Sequence, residues 1–270
     1  MSDSRPIGVF DSGVGGLTVA VALRERLPNE RILYLGDTAR LPYGTKSPET
    51  VTRYTQANVD FLAGRGVKAV VVACNTASAL ALDRLRTRLP HWGVIEPGAE
   101  RAAAVSRGRV GVLATESTVL SDAYGRALKR LRPELEVLSR ACPLFVPLVE
   151  EGWLDDPVTE IVARRYVEPL LAAGVDTLML GCTHYPLLAP LLARIAGPGV
   201  ALVDSAAAVS ERVAAELAAA GLLATAPFAE DHYCVTDASQ RFARIAQEFV
   251  GRPVRLELVD LVPPQEGSPA

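Results

Sequence analysis

Short blocks of large apolar residues, at 7–10, 32–35, 66–74, 110–114 and 174–182, alternate along the chain with longer stretches whose apolar positions recur every third or fourth residue. The blocks have the length and content of strands buried on both faces, and the stretches between them have the period of helices packed on those strands. After the first block, Leu17, Val21 and Leu27 hold helical spacing until Pro28 stops it. Ser47-Pro48-Glu49 reads as an N-cap, a proline at the first helical position and an acid in the first turn, opening a helix to about residue 64. Further helices are predicted over 76–89, 117–131, 157–173, 187–195, from 205 onwards and over 239–250. Strands are predicted near 137 and at 201–203, 233–235 and 254–258. Residues 36–46 and 142–153 read as irregular, the pattern breaks at Pro97-Gly98, and the tail from Pro263 is expected to be disordered.

Part of this pattern occurs twice. Residues 66–76 read GVKAVVVACNT and, 108 positions on, residues 174–184 read GVDTLMLGCTH. In both, Gly-Val leads into three large apolar residues, one small residue and a cysteine, so each reads as a buried strand ending in a thiol. Ile7-Gly8-Val9-Phe10-Asp11-Ser12 likewise resembles Val110-Gly111-Val112-Leu113-Ala114-Thr115 at an offset of 103. Two related halves of alternating strand and helix predict an α/β protein of two similar domains with mostly parallel sheets, pseudo-symmetric, with the active site in the interdomain cleft. The break at Pro97-Gly98 divides residues 1–97 from 98–206. Residues 207–270, too few for a core of their own, are expected to return to the first domain.

Composition narrows the function classes. A chain of 270 residues is long enough for two ordinary cores. A formal charge of −3 offers no basic footprint, so neither nucleic acid nor a membrane surface is an expected partner. No stretch has the apolar length of a membrane span, and the first residues lack the basic and apolar regions of an export signal, so a cytoplasmic location is expected. The four cysteines include no C-x-x-C pair and there are three histidines, which argues against disulfides and a zinc site and leaves free thiols. Lys46, Lys68 and Lys129 sit away from any strand-end phosphate loop, which argues against a pyridoxal phosphate Schiff base.

Ligands in parallel α/β sheets bind beyond the carboxyl ends of the strands, where Asp11, Asp37, Cys74, Thr115 and Cys182 all fall. The Asp11 to Gly16 turn, DSGVGG, invites a dinucleotide reading, with Asp37 as the ribose acid. Its third fingerprint position is Thr18 rather than glycine, which weakens that reading. The turn still offers N–H groups to a small anion, and Asp11 serves either the site or a helix cap. Cys142 and Cys234 have no counterpart in the repeat and read as structural. Asn75, Thr76, Thr183 and His184 follow the paired thiols and offer hydrogen bonds to an amino acid; His184 could also take the Cys182 proton. A redox dithiol would need both sulfurs within bonding reach, and a single nucleophile would not explain the duplication. Two bases on opposite faces of one carbon do explain it, with the sulfurs roughly 7 Å apart. A non-catalytic anion binder remains the alternative.

These motifs, Asp11-Ser12-Gly13-Val14-Gly15-Gly16, Gly36-Asp37-Thr38, Pro42-Tyr43-Gly44, Ala73-Cys74-Asn75-Thr76 and Gly181-Cys182-Thr183-His184-Tyr185-Pro186, are similar in order and spacing to those of the glutamate racemases over residues 7 to about 260. The resemblance implies cofactor-independent interconversion of L- and D-glutamate, which provides D-glutamate for bacterial peptidoglycan. It implies Cys74 and Cys182 as the two acid/bases, with Asp11 supporting the first and His184 the second. It further implies substrate contacts from Ser12, Tyr43, Gly44, Asn75, Thr76, Thr115, Thr118 and Thr183, and an assisting glutamate, Glu150 or Glu151, of which Glu150 fits better. Aspartate racemases tend to carry glutamate where this chain has His184, which favours glutamate as the substrate. The resemblance also implies a homodimer of unspecified arrangement and no obligatory peptidoglycan-precursor activator. A DNA gyrase interaction occurs in some relatives, and nothing in this sequence supports one.

Overall fold

The structure, a computed structural model, describes residues 3–226, 230–238, 240–251 and 253–261. The tail from Pro263 and the expected helix start at Ser239 lie outside the described residues. In chain order, β1 (Ile7–Asp11), β2 (Ile32–Gly36), β3 (Ala69–Val72) and β4 (His91–Gly93) belong to a first sheet, and β5 (Arg109–Ala114), β6 (Glu136–Ala141), β7 (Thr177–Gly181) and β8 (Ala201–Asp204) form a second. The chain then returns, and β9 (His232–Val235) and β10 (Leu256–Leu258) complete the first. Every described pairing is parallel. The strand orders are β10-β9-β2-β1-β3-β4 and β6-β5-β7-β8. The run β2-β1-β3-β4 therefore repeats as β6-β5-β7-β8, which is the duplication read from the two thiol strands. Gly66 and Gly174, the paired turn glycines, have φ of 74° and 80°, a left-handed conformation that L side chains adopt at a cost.

The helices are α1 (Leu17–Arg26), α2 (Pro48–Gly64), α3 (Asn75–Ala81), α4 (Ile95–Val105), α5 (Glu116–Leu120), α6 (Ala123–Leu131), α7 (Phe145–Glu150), α8 (Pro157–Ala172), α9 (Ala189–Ala196), α10 (Ser205–Ala219) and α11 (Gln240–Val250). Ser47 caps α2 by accepting from Thr50 N, as its sequence signature requires.

Four local expectations change. The helix expected over 76–89 ends at Ala81, and the chain passes through a 3-10 turn into β4, which the pattern did not announce because only three residues pair. Pro97-Gly98 is no break: Pro97 is the third residue of α4, where a missing N–H has no partner to lose. The helix expected over 117–131 is two helices, separated where Asp122 turns left-handed at φ 51°. Residues 142–153, read as irregular, contain α7. Both expected switch points, 97/98 and 206/207, fall inside helices, α4 and α10. These two pack on each other, with α4 also against β7 and α10 against α1, so they fill the junction between the lobes.

Candidate active site

Parallel strands gather their carboxyl ends at one edge of each sheet. A cavity of about 310 Å³ is walled from both edges. Ser12 and Gly13 follow β1; Leu41, Pro42, Tyr43, Gly44 and Thr45 come from the loop after β2; Cys74, Asn75 and Thr76 follow β3. The other lobe supplies Thr115 and Glu116 after β5, Cys142, Pro143, Val146, Pro147 and Glu150 after β6, and Cys182, Thr183 and His184 after β7. Of the residues expected at the site, Asp11 and Thr118 alone stand behind this wall, both buried.

Cys74 stands at the start of α3, where Ala77 N–H donates to Sγ at 3.5 Å; Sγ itself lies 3.6 Å from Ser12 Oγ. Burial, and next the charge of Asp11, push this thiol up to about 12 in spite of both contacts. Asp11 hydrogen-bonds away from it, accepting from Gly13 N at 3.0 Å and Thr183 Oγ1 at 3.4 Å. Burial raises its carboxyl, against the pull of the His184 charge. Asp11 thus acts on Cys74 through space while touching the second thiol's loop.

The second thiol has a different neighbourhood. His184 Nδ1 is 4.0 Å from Cys182 Sγ, and its Nε2 is 3.3 Å from Glu150 Oε1, an ion-pair distance without hydrogen-bond alignment. Burial alone would lower this imidazole, but its contacts with Cys182 and Glu150 and the charge of Asp11 together hold it at about 10. Between the adjacent acids, Glu150 lines the cavity and Glu151 is exposed.

The walls are held across the lobes by hydroxyls. Thr115 Oγ1 lies 2.9 Å from both Thr76 Oγ1 and Thr118 Oγ1, and Thr76 and Thr118 are 3.3 Å apart. Ser117 Oγ donates to Gly44 O at 2.8 Å, and a Cβ on Gly44 would come within 2.8 Å of Thr115 Cβ. Beneath this loop, the buried Asp37 accepts from Tyr43 OH, from Arg40 Nε at 2.8 Å and from Thr236 Oγ1 at 3.1 Å. The Tyr43 hydroxyl is therefore spent on Asp37, and Tyr43 serves the cavity as wall. Asn75 Nδ2 donates to Tyr124 OH at 2.8 Å, while Asn75 Oδ1 has no partner among the described residues, an acceptor suited to an ammonium group.

The dinucleotide reading loses its footing here. A Cβ on Gly15 would meet His184 Cε1 at 2.5 Å and Thr183 Oγ1 at 2.6 Å, so the space over the DSGVGG turn is already filled by the protein. With Asp37 committed to the loop, neither half of a dinucleotide site is free. The third cysteine is closer to the site than its lack of a repeat partner implied: Cys142 lines the cavity, with Sγ donating to Arg140 O at 3.4 Å. Cys142 and Cys182 extend β6 and β7, which flank β5 in register at Ala114. That spacing of about 9.6 Å exceeds the reach of a disulfide. The sequence reading also missed α7 and its apolar wall of Pro143, Val146 and Pro147. The signal was there, since this segment follows the carboxyl end of a strand.

Two α/β lobes of one plan, each placing a cysteine at the wall of a shared cavity, define the architecture of a racemase family. The chain belongs to the Asp/Glu/hydantoin racemase family, whose model matches residues 18–213. It is 55% identical over 252 residues to the glutamate racemase of Geobacter metallireducens, covering 92% of this chain and 93% of that protein. Its fold is similar to that of a glutamate racemase isoform from Bacillus anthracis, with a TM-score of 0.92, 38% identity, and coverage of 95% of this chain and 98% of the other. A glutamate racemase from Francisella tularensis, solved in complex with D-glutamate, superposes with a TM-score of 0.90 at 38% identity over 96% and 98% of the two chains.

Proposed function

We propose that this chain interconverts L- and D-glutamate by direct 1,1-proton transfer between Cys74 and Cys182, without a cofactor, and so provides D-glutamate for bacterial peptidoglycan. The observation that carries the reading is one buried thiol from each lobe at the wall of a single shared cavity. The relatives named above are glutamate racemases, one of them holding D-glutamate. In each turnover one sulfur takes the α-proton as a base and the other, as a thiol, returns its own proton to the opposite face. The two sulfurs have then exchanged states. With L-glutamate bound, Cys182 takes the α-proton and Cys74, whose thiol burial pushes up, returns its own; the roles reverse for D-glutamate.

Among the described lining residues none is lysine or arginine, so neutral donors must hold the substrate carboxylates: Ser12, Thr76, Thr115 and Thr183 hydroxyls, with main-chain N–H groups near Gly44. Thr118 acts by fixing Thr76 and Thr115, and Asn75 Oδ1 accepts from the ammonium. Fixed neutral dipoles aimed at the developing carbanion stabilise it without reorganising. The proposal includes the lobe division into residues 1–97 with 207–270 and 98–206, a homodimer, and a cytoplasmic location. Among the described residues no helix is long and apolar enough to cross a membrane.

The test is α-proton exchange from D2O into L- and D-glutamate, with aspartate as comparator and nothing else added. Exchange into neither enantiomer of glutamate leaves a non-catalytic anion binder and ends the proposal. Cys74→Ser and Cys182→Ser should each abolish racemisation while Cys142→Ser retains it; equal losses at all three would remove the special status of the pair.

A further inference from the structure

The partners of His184 face both ring nitrogens, at distances too long to fix a swing about Cβ–Cγ tightly. Nδ1 faces Cys182 at 4.0 Å and Nε2 faces Glu150 at 3.3 Å, both long for hydrogen bonds. Two other contacts restrict the swing. The turn between β1 and α1 lies against the ring at Gly15, and the Phe249 ring stands perpendicular to it, with centroids 6.0 Å apart and planes 88° apart. Phe249 is in the last turn of α11, which packs on α1 and buries Ile245, Ala246 and Phe249. A helix from the returning C-terminal segment therefore reaches the histidine that serves the second lobe's thiol.

We propose that Phe249 is a positioning residue: its ring fixes the plane in which His184 faces Cys182 and Glu150, and so couples α11 to the second thiol. The proposal rests on the reading of Cys182 as a proton-transfer group. Perpendicular aromatic pairs are favoured at centroid separations of about 4.5–7 Å, so the contact has a preferred geometry to impose. Displacing a reacting group by about 1 Å costs up to roughly 100-fold in rate, so a modest tilt is consequential. The charged and titratable groups facing the imidazole are Cys182 on its own loop, Glu150 from α7 and Asp11 from β1. From α11 it meets an uncharged ring. If the ring tilts, the effects of burial and of these charges all shrink. Because their sum is upward, the His184 titration moves down toward its ordinary value.

Phe249→Leu, Phe249→Tyr and Ile245→Ala are compared by kcat/KM as a function of pH and by NMR titration of the histidines, of which the chain has three. Phe249→Leu is expected to lower kcat/KM by about tenfold. The loss is equal in both directions, because two enantiomers have an equilibrium constant of one. Its His184 titration should fall from about 10 toward 6.5. Phe249→Tyr keeps the ring and should stay near the parent in both measurements. Ile245→Ala, on the same buried face, should lower stability and leave the His184 titration in place. Parent-like titration and rates in Phe249→Leu, or an equal shift in Ile245→Ala, would overturn the proposal. If the leucine variant does not fold, Phe249→Met preserves volume without the ring and takes its place. The titration needs no substrate, so failure of racemisation by the parent protein would refute the proposed function while leaving this inference to its own result.

Discussion

Lys68→Met should separate folding from chemistry. Lys68 precedes β3 at the amino edge of the first sheet, away from the cavity, and its side chain and that of Glu30 are 0% and 2% exposed. Nζ lies 2.6 Å from Glu30 Oε2 and donates to the main-chain oxygens of Asp3 and Leu222, each at 2.7 Å. Glu30 Oε1 in turn accepts from Ala224 N at 2.7 Å. One lysine therefore ties the start of the chain and the segment returning from α10 to the floor of the sheet. Methionine replaces the stem but leaves a buried carboxylate without its counter-charge and two carbonyls without a donor. Removing one partner of a buried pair costs about 3–5 kcal/mol. At a urea dependence of about 2 kcal/mol per molar, a loss of about 4 kcal/mol moves the midpoint down by roughly 2 M. Removing both charges in Lys68→Met/Glu30→Leu should recover at least half of the loss, since the penalty lies in the orphaned charge. Urea melts followed by circular dichroism give the three midpoints, and racemisation measured without urea should stay within about twofold of the parent. A single-variant loss under about 1 kcal/mol, or a double variant no more stable than the single, would refute the charge argument. A fall in kcat with folding intact would refute the claim that this edge is remote from the chemistry.

Three further outcomes follow from the site. Glu150→Gln removes the negative partner 3.3 Å from Nε2, so the His184 titration should move down from about 10. A raised imidazole stabilises the fold fully below about 6.5 and loses that contribution as pH rises through about 10, so the stability gap between parent and variant should be wide near pH 6, where the carboxylate is still ionised, and close above about 10; a gap that widens from pH 6 to 10 would contradict this sign. Gly15→Ala places a methyl group within 2.5 Å of His184 Cε1. Overpacking costs about 1–3 kcal/mol, and thermal melting with steady-state kinetics should show a larger fractional loss in kcat than stability explains; parent-like kcat would mean that the ring has room to move. Tyr43→Phe removes the hydroxyl donated to Asp37, at a cost of about 1.5–3 kcal/mol, and should raise KM by loosening the loop through Pro42 and Gly44; an unchanged KM would disconnect the Asp37 network from substrate binding.

The alternation of strand and helix, the parallel sheets and the duplication were legible because they are patterns in sequence order: a buried strand must be continuously apolar, and a left-handed turn selects glycine at 66 and 174 alike. The paired cysteines were legible for the same reason. Pro97 misled because a proline reads as a breaker unless its place in the first helical turn is known, and β4 was too short to carry a period. The short α7 was hidden by Pro143 and Pro147 and by its single buried pair, Phe145 and Val149, too short a stripe to carry a period, although it builds one wall of the cavity.

What the sequence by itself determined is therefore the repeated strand–helix plan and the residue types, two cysteines among them, that stand at its strand ends, since both follow from local periodicity and residue type. What only the tertiary structure decided is which groups act on one another. Glu150 rather than Glu151 faces His184, Asp11 leans toward the second thiol's loop, Tyr43 spends its hydroxyl on Asp37, Cys142 joins the cavity, and Phe249 meets His184 from a helix 65 residues further along the chain. Distances and burial set the strength of a charge or a hydrogen bond, and residues far apart in the chain acquire them only once the two sheets have been brought edge to edge.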